Sequence, residues 1–264
     1  MRKALAILAF AACLLGGNAE AQVTCGQYYT HPGPDVVDIT LTGNLVCPHN
    51  SVGVYLGDNT RLNLNGYYLA DPQAKATAGA GVVVLGRNSS VTGRTNDLRP
   101  RGQIVNFFNG IVAATTGQRL VFVSQLRIRH TRSDGMFVAP GSALTTSYVY
   151  ESESVNGNGV KCLGECYIYR GTLTSNAGDG MVCQYHTGCG TYKVALDGIP
   201  TNARSSVYVL NGSTYENQSC PGSIYAQNGG RVTLKENPVT CVRKIRCTAA
   251  DATSHFYGDT FACK

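Results

Sequence analysis

The chain has 264 residues, a formal net charge of +6 at pH 7, fifteen Tyr and no Trp. This length is sufficient for one substantial hydrophobic core, so the sequence requires no second domain. No dense tract of Lys and Arg is interleaved with aromatic residues, which argues against nucleic acid as a partner.

The first 21 residues have the pattern of a cleavable signal peptide. Arg2 and Lys3 precede an apolar stretch at 4–15, and a small-x-small cleavage site ends at Ala21. An apolar stretch of this length is too short to span a bilayer comfortably. The segment therefore predicts export to a secreted or periplasmic location with cleavage near Ala21, and no membrane span.

Cleavage at that point removes Cys13 and leaves ten cysteines, an even number. In an oxidising compartment this predicts up to five disulfides. The candidates are Cys25, Cys47, Cys162, Cys166, Cys183, Cys189, Cys220, Cys241, Cys247 and Cys263. A zinc site among the cysteines between 162 and 189 is the competing interpretation. Export favours disulfides, so we expect neither a metal nor another cofactor.

Along the chain, helix signals are almost absent and short β-rich runs follow one another. Clusters of Asn, Gly, Asp and Ser separate these runs, as is typical of strands joined by turns. The predicted strands lie at 36–42, 61–65, 81–85, 119–128, 142–150, 204–210 and 231–234. Sandwiches and barrels also contain short strands, so the strands alone do not decide the fold.

A periodic glycine decides it. Each copy is preceded by Asn or Asp and followed by a short apolar run. The four central copies begin at Asn109-Gly110, Asp134-Gly135, Asn158-Gly159 and Asp179-Gly180, with glycines 25, 24 and 21 residues apart. Such a period indicates stacked copies of one supersecondary unit. In a parallel solenoid each coil lies about 4.8 Å above the previous one, and residues of equal phase stack.

Counting from these glycines predicts two interior rows. The first row is Ile111, Met136, Val160 and Met181, and the second is Ala113, Val138, Cys162 and Cys183. We attribute the glycine to a bend with positive φ, and the preceding Asn or Asp to its tolerance of the left-handed region.

The same count extends toward both ends of a single domain at 22–264. Gly222 lies 42 residues after Gly180, which predicts two coils of 21 residues, and about eight coils occupy 36–237. Residues 22–60 form the N-terminal cap and first coil, and 238–264 form the C-terminal cap, because terminal repeats otherwise expose apolar faces. Disulfides are expected to fasten both caps, with Cys25 and Cys47 at the first.

Cys162 and Cys183 share one phase, so we expect them to be neighbours on adjacent coils. Bonds between coils would then join Cys162 to Cys183 and Cys166 to Cys189. Local pairing of Cys162 with Cys166 and of Cys183 with Cys189 is the alternative, and both schemes are compatible with the spacing.

Three passages carry a family resemblance: Arg61–Leu69, Gly81–Val84 and Gln103–Ile111. They resemble secreted right-handed parallel β-helix proteins of the pectin-lyase-like group, and the likeness extends over 36 to about 185. The resemblance implies an all-β, right-handed parallel β-helix. The group includes polysaccharide lyases, hydrolases, epimerases and members without a known activity, so one fold accommodates many chemistries.

The motifs of the group's well-known enzymes are absent from this chain. Pectate lyases of this fold bind calcium through clustered acidic side chains, and no comparable cluster occurs here. Polygalacturonases carry an Asn-Thr-Asp triplet, an Asp-Asp pair, a Gly-His-Gly and an Arg-Ile-Lys. This chain has only Arg127-Ile128-Arg129, in the wrong order for that set.

The glycine alignment also predicts one polar group outside the core. Leu126 and Ile128 should point inward, which leaves Arg127 beside Glu151 and Arg129 beside Glu153, with His130 in the following bend. Surface salt bridges are the simpler interpretation, worth about 0–1 kcal/mol each. A catalytic interpretation is that the Arg pair neutralises a uronate carboxylate while a carboxylate or His acts as base.

Taken together, these features predict a protein that engages a surface or extracellular polymer, for which the resemblance suggests a polysaccharide. Catalysis stays open. One alternative is a polysaccharide lyase, epimerase or glycoside hydrolase using Arg127, Arg129, His130, Glu151 and Glu153; a hydrolase needs two carboxyl groups about 5 Å or about 6.5–9.5 Å apart. The other alternative is a structural or adhesive module. We expect a monomer.

Overall fold

The computed structural model describes residues 22–94, 101–115, 120–174, 176–196, 202, 204–219, 222–235 and 245–258. The predicted signal peptide at 1–21 and the cysteines at 220, 241 and 263 lie outside this part of the chain. The side chains of Glu151 and Glu153 lie outside it as well, although their backbone is described.

The described residues form twenty-four strands and no α-helix. In chain order the strands are β1 (Gln27–Tyr29), β2 (Val37–Thr40), β3 (Leu45–Val46), β4 (Val54–Leu56), β5 (Thr60–Asn63), β6 (Tyr68–Ala70), β7 (Ala80–Val84), β8 (Ser90–Thr92), β9 (Gln103–Val105), β10 (Asn109–Ala113), β11 (Leu120–Ser124), β12 (Arg127–Thr131), β13 (Met136–Val138), β14 (Ala143–Ser154), β15 (Val160–Cys162), β16 (Glu165–Thr172), β17 (Met181–Cys183), β18 (Gly188–Ala195), β19 (Val207–Leu210), β20 (Thr214–Gln218), β21 (Ser223–Gln227), β22 (Arg231–Leu234), β23 (Arg246–Ala249) and β24 (His255–Gly258).

These strands build a parallel β-helix, as predicted. The first sheet stacks β1, β4, β7, β10, β13, β15, β17, β19, β21 and β23. The second sheet stacks β2, β5, β8, β11, β14, β16, β18, β20, β22 and β24, and the end of β14 continues into a third sheet with β12, β9, β6 and β3. Eight strands of the first sheet, β4 to β21, lie between residues 36 and 237, which confirms the predicted number of coils.

Both predicted interior rows are confirmed. Ile111 pairs with Met136, Met136 with Val160, and Val160 with Met181, and all four side chains are buried. The second row is likewise in register and buried. Because side chains alternate along a strand, the residue between the two rows points outward on every coil.

The predicted coil length is wrong after Gly180. Met181 pairs with Val207, and Val207 pairs with Ile224, so the register steps by 26 and then by 17 residues instead of 21 twice. The sheet keeps its register because each strand must stay in phase with its neighbours, whereas the connecting segments can change length.

The predicted reason for the periodic glycine is also wrong. None of the four central glycines, nor the Asn or Asp before each, has positive φ. A Cβ on Gly159 would instead lie 2.6 Å from the carbonyl oxygen of Gly180, and one on Gly180 would lie 2.6 Å from that of Ser206. Real Cβ atoms do not approach this closely, so close packing between coils explains the glycine. Residues with positive φ occur at other bends instead, and Asn59 and Asn88 are two of them. The side-chain amide of Asn88 donates to the side-chain oxygen of Asn59 at 3.0 Å.

The Asn or Asp before each glycine forms a ladder between coils. The side-chain oxygen of Asn109 accepts from the backbone N–H of Asp134 at 3.1 Å, and that of Asp134 accepts from Asn158 at 3.0 Å. Asn158 in turn accepts from the N–H of Asp179 at 2.9 Å, and Asp179 from that of Ser205 at 2.7 Å. Each acceptor satisfies a backbone donor at the bend, where a missing partner would be costly.

Asp179→Asn should raise the free energy of unfolding at pH 7, because it removes a charge that burial disfavours. Burial raises the pKa of Asp179, and the hydrogen bond from Ser205 and the charge of Arg204 offset only part of this effect. The folded protein therefore binds a proton at this carboxyl more readily than the unfolded chain does, and ionisation destabilises the fold. Asparagine keeps the acceptor oxygen without the charge.

The stabilisation by Asp179→Asn should be largest above the raised pKa and should shrink as the pH falls toward the ordinary value of 3.8. Urea unfolding at several pH values measures it. Asn158→Ala is the matched change that removes an acceptor from the same ladder, and it should destabilise the protein. An Asp179→Asn variant that is less stable than the parent at pH 7 would contradict this account.

The disulfides confirm the first-end prediction and decide between the two central schemes. Cys25 bonds to Cys47, with Cα atoms 5.5 Å apart. Of the two schemes that the spacing left open, the one with bonds between coils does not occur. The local alternative is present instead: Cys162 bonds to Cys166 and Cys183 to Cys189, with Cα separations of 6.2 and 6.3 Å. Cys247 is disulfide-bonded as well.

The predicted neighbours are nevertheless correct. Cys162 lies in register with Cys183 in the first sheet, and Cys166 with Cys189 in the second. Neighbouring parallel strands stand about 4.8 Å apart, and this spacing and the observed Cα separations both lie in the range of a disulfide. Each bond nevertheless forms across the bend that joins the two sheets within one coil, so the two disulfides lie on adjacent coils.

Candidate functional site

The predicted polar group lies on the third sheet. Leu126 and Ile128 are buried, and Arg127 and Arg129 are partly exposed on the outer side of β12, as predicted. Arg127 lies opposite Gln103 and Arg129 opposite Val105 on the preceding coil. His130 is exposed in a left-handed conformation with φ of 54°.

The predicted register of this group with the following coil is wrong. Arg127 lies opposite Tyr150, and Ile128 lies opposite Ser152, so Glu151 is the extra residue between them. A second shift precedes Thr131, which lies opposite Ser154. The irregularity occurs where β14 leaves the second sheet and enters the third, and a bulge is the usual way for a strand to bend. The pairing of Arg129 with Glu153 stays a prediction.

The outer face of the second sheet carries a different group of side chains, which sequence reasoning missed. We call it the tyrosine cleft and define it by Tyr167, Tyr169, Gly190, Tyr192 and Glu216. Tyr167 lies in register with Gly190, Tyr169 with Tyr192, and Gly190 with Glu216. Strands β16, β18 and β20 thus place all five residues on the same side of three consecutive coils.

The geometry of the tyrosine cleft leaves aromatic rings open to solvent. Tyr167 is 38% exposed and Tyr169 44%. The rings of Tyr169 and Tyr192 have centroids 6.2 Å apart and planes inclined by 54°. A Cβ at Gly190 would lie 3.1 Å from the ring of Tyr167, so this glycine lets the ring lean over β18. The five residues line a depression of about 50 Å³ together with Ile168 and Thr191.

The electrostatics of the cleft keep the Tyr167 hydroxyl protonated. Burial raises the pKa of Tyr167, and the negative charges of Glu165 and Glu216 raise it further. The hydroxyl therefore remains a hydrogen-bond donor well above neutral pH. Glu216 is itself paired with the ammonium of Lys235 at 2.6 Å, and both side chains are exposed.

The same outer face continues toward the N-terminal coils. A groove of about 600 Å³ lies there, lined among others by Arg61, Ser90, Arg94, Phe122, Ser124 and Ser147. Ser147 is in register with Tyr169, so the groove adjoins the tyrosine cleft. One continuous row runs from Arg61 through Ser90, Phe122, Thr145, Tyr167 and Gly190 to Glu216. Six steps of about 4.8 Å make it about 29 Å long.

The side chains of this face offer both apolar surfaces and polar groups. Aromatic ring faces offer apolar platforms, and the hydroxyls and charged groups between them offer donors and acceptors. Among the described residues, no group of three or more His, Cys, Asp and Glu could hold a metal ion. The alternation Tyr167-Ile168-Tyr169 was the available sequence signal, but only the register places Tyr192 and Gly190 beside it.

Comparison with known proteins adds no relative. No family model, curated protein or solved structure matches this chain. None of the described residues belongs to a helix long and apolar enough to cross a membrane.

Proposed function

We propose that this protein binds a polysaccharide of a cell surface or extracellular matrix along the outer face of its second sheet. The observation that supports this most directly is the cluster of the exposed Tyr167 and Tyr169 with the partly exposed Tyr192 around a small depression. Sugar rings present apolar C–H faces and equatorial hydroxyls, and such a site offers partners to both.

The length of the face favours a polymer over a single small ligand. The row from Arg61 to Glu216 is about 29 Å long, and it is nearly straight because coils stack at a constant spacing. Phe122 lies two coils before Tyr167 in that row and is 40% exposed. A repeating polymer could contact rings at several points, and each weak contact would add to one affinity.

Binding, and not catalysis, is the proposal. The catalytic hypothesis for Arg127, Arg129, His130, Glu151 and Glu153 depended on an alignment of Arg127 with Glu151. The register places Tyr150 opposite Arg127 instead, so that hypothesis has lost one of its supports.

The double change Tyr167→Ala with Tyr169→Ala should weaken binding of the recognised polysaccharide by about 10- to 100-fold. Aromatic contacts of this kind are each worth about 0.5–1.5 kcal/mol beyond the area they bury. Both side chains are exposed, so their removal should leave the fold intact. Affinity electrophoresis against a panel of neutral and acidic glycans identifies the polymer, and calorimetry then measures the affinity.

Tyr68→Ala is the matched control for this double change. Tyr68 is 40% exposed, a fraction close to those of Tyr167 and Tyr169, but it lies on the third sheet. Its removal should not change binding. Equal affinity of the double variant and the parent for the retained polymer would refute the proposal. Release of reducing ends or unsaturated uronates by the parent would instead support the enzyme alternative.

A further inference from the structure

The outer face of the first sheet is apolar along nearly its whole length. The outward residue between the two interior rows is, on successive strands, Tyr28, Tyr55, Val83, Val112, Phe137, Lys161, Val182, Tyr208 and Tyr225. We call this row the apolar stripe. Lys161 is the only charged residue among these nine positions. Tyr28 is 53% exposed, and most of the others are partly exposed.

A second apolar row borders the stripe. Its apolar members follow the second interior row and are Leu85, Ala114, Ala139, Leu163 and Leu210, all at least partly exposed; the uncharged polar residues Gln184 and Gln227 occupy the same phase on two other coils. Leu85 is 40% exposed. Two adjacent rows without a carboxylate form a surface depleted in charge, which is the compositional mark of the centre of a protein interface.

The area of this face can be compared with the area that a protein interface needs. From Tyr28 to Tyr225 the stripe takes eight steps of about 4.8 Å, which is about 38 Å, and about four residues of strand make it about 13 Å wide. The face therefore covers about 500 Å², in the upper part of the range of about 300–600 Å² found for the largest apolar patch of a monomer, a patch that is often functional. Two such faces in contact bury about 1,000 Å², the lower limit for a specific protein interface.

The position of Lys161 indicates how two copies would meet. Lys161 lies on the sixth of the ten strands of the first sheet, and Phe137 lies on the fifth. If the two faces overlapped fully about a two-fold axis parallel to the helix, each strand would face the same strand of the partner subunit. Lys161 would then face Lys161 of the partner subunit. Such a contact between like charges is unfavourable. A two-fold axis perpendicular to the helix would place the sixth strand on the fifth.

We propose that the protein forms a two-fold dimer through the apolar stripe, with the two helices antiparallel. Lys161 then lies over the ring of Phe137 of the partner subunit, a favourable cation–π arrangement. The third strand faces the eighth, so the small Val83 meets the large Tyr208 of the partner subunit. The interface is isologous, as in most homodimers.

This dimer is independent of the proposed polysaccharide binding, because the tyrosine cleft lies on the second sheet. It differs from the monomer that we expected from the sequence. Two copies would present two tyrosine clefts, and a polymer that reached both would bind with increased avidity.

Sedimentation equilibrium of the purified protein tests the oligomeric state. The parent should be a dimer at low micromolar concentration. Val112→Asp should raise the dissociation constant of the dimer by at least about 100-fold. Thr233→Asp is the control, since Thr233 is an exposed outward residue of the second sheet, and it should leave the dimer unchanged. A parent that stays monomeric up to about 0.1 mM would overturn the proposal.

Cross-linking tests the orientation without relying on a destabilising change. A mixture of Val83→Cys and Tyr208→Cys chains should form an inter-chain disulfide under mild oxidation. Lys161→Cys alone should not. Self-linking of Lys161→Cys, with no product from the mixture, would show that the helices are parallel and would overturn the antiparallel arrangement.

Discussion

Asp71→Ala should lower the free energy of unfolding by about 3 kcal/mol, because it removes the acceptor from a buried network. The carboxylate of Asp71 has no exposed surface. It accepts hydrogen bonds from His49 Nδ1 at 2.9 Å, from the N–H of Asn50 at 2.9 Å and from the N–H of Gln73 at 2.8 Å. These contacts join the segments after β3 and β6 on adjacent coils, so their loss should loosen both.

The contribution of Asp71 should depend on pH in a defined direction. Burial alone would raise the pKa of Asp71, but the hydrogen bonds from His49, Gln73 and Asn50 outweigh burial and lower it. A carboxyl whose pKa is lower in the folded state stabilises the protein above the unfolded value of 3.8, and this contribution is lost as the pH falls through the lower, folded value. The difference between the parent and Asp71→Ala should therefore shrink in acid.

Urea unfolding at pH 7 and at two acidic values measures both effects of Asp71→Ala. Asp38→Ala is the control: Asp38 pairs with Arg61 at 3.2 Å, but both side chains are about half exposed, so its loss should cost less than about 1 kcal/mol. Asp71→Asn retains one acceptor, so its loss of unfolding free energy should lie between those of Asp71→Ala and Asp38→Ala. A loss for Asp71→Ala no greater than that for Asp38→Ala would contradict the proposed network.

Gly159→Ala should destabilise the protein by about 1–3 kcal/mol, the range found when a methyl group is forced into a packed interior. The added Cβ would lie 2.6 Å from the carbonyl oxygen of Gly180 and 2.9 Å from Nδ2 of Asn176. The first atom belongs to the backbone of the next coil. The second belongs to a buried amide that donates to Asn202 at 2.8 Å. Neither can move away without loss of a contact between coils.

Gly43→Ala is the matched control for Gly159→Ala. A Cβ at Gly43 would meet no atom within 4 Å, and its φ is not positive. This change should be neutral or slightly stabilising, because alanine restricts the unfolded chain more than glycine does. Thermal unfolding of both variants gives the comparison. Equal melting temperatures would mean that Gly159 is not needed for close packing between coils.

Most of the residues that fill the interior of this protein could be predicted from the sequence. The glycine period placed Ile111, Met136, Val160 and Met181 in one buried row, and the structure has that row in register. It also placed Cys162 beside Cys183. These predictions succeeded because stacking in a solenoid is one-dimensional, so one correct phase fixes every later neighbour until the spacing changes.

The neighbours of the side chains on the outer surface could not be predicted in the same way. The change to steps of 26 and 17 residues after Met181, and the bulge opposite Arg127, depend on how each connecting segment closes. A shift of one residue moves a side chain to a different neighbour or to the other face. For that reason the tyrosine cleft could not be found from the sequence, although Tyr167 and Tyr169 are two residues apart and therefore lie on the same face of one strand.

The amino-acid sequence by itself determined the β-helix, its number of coils and the residues that fill its core. Local periodicity and burial of apolar side chains are sufficient for these properties. Only the tertiary structure decided that disulfides join Cys162 to Cys166 and Cys183 to Cys189, and that exposed tyrosines meet across β16 and β18. Those outcomes depend on distances of a few ångströms between coils and across bends, which a repeating pattern does not specify.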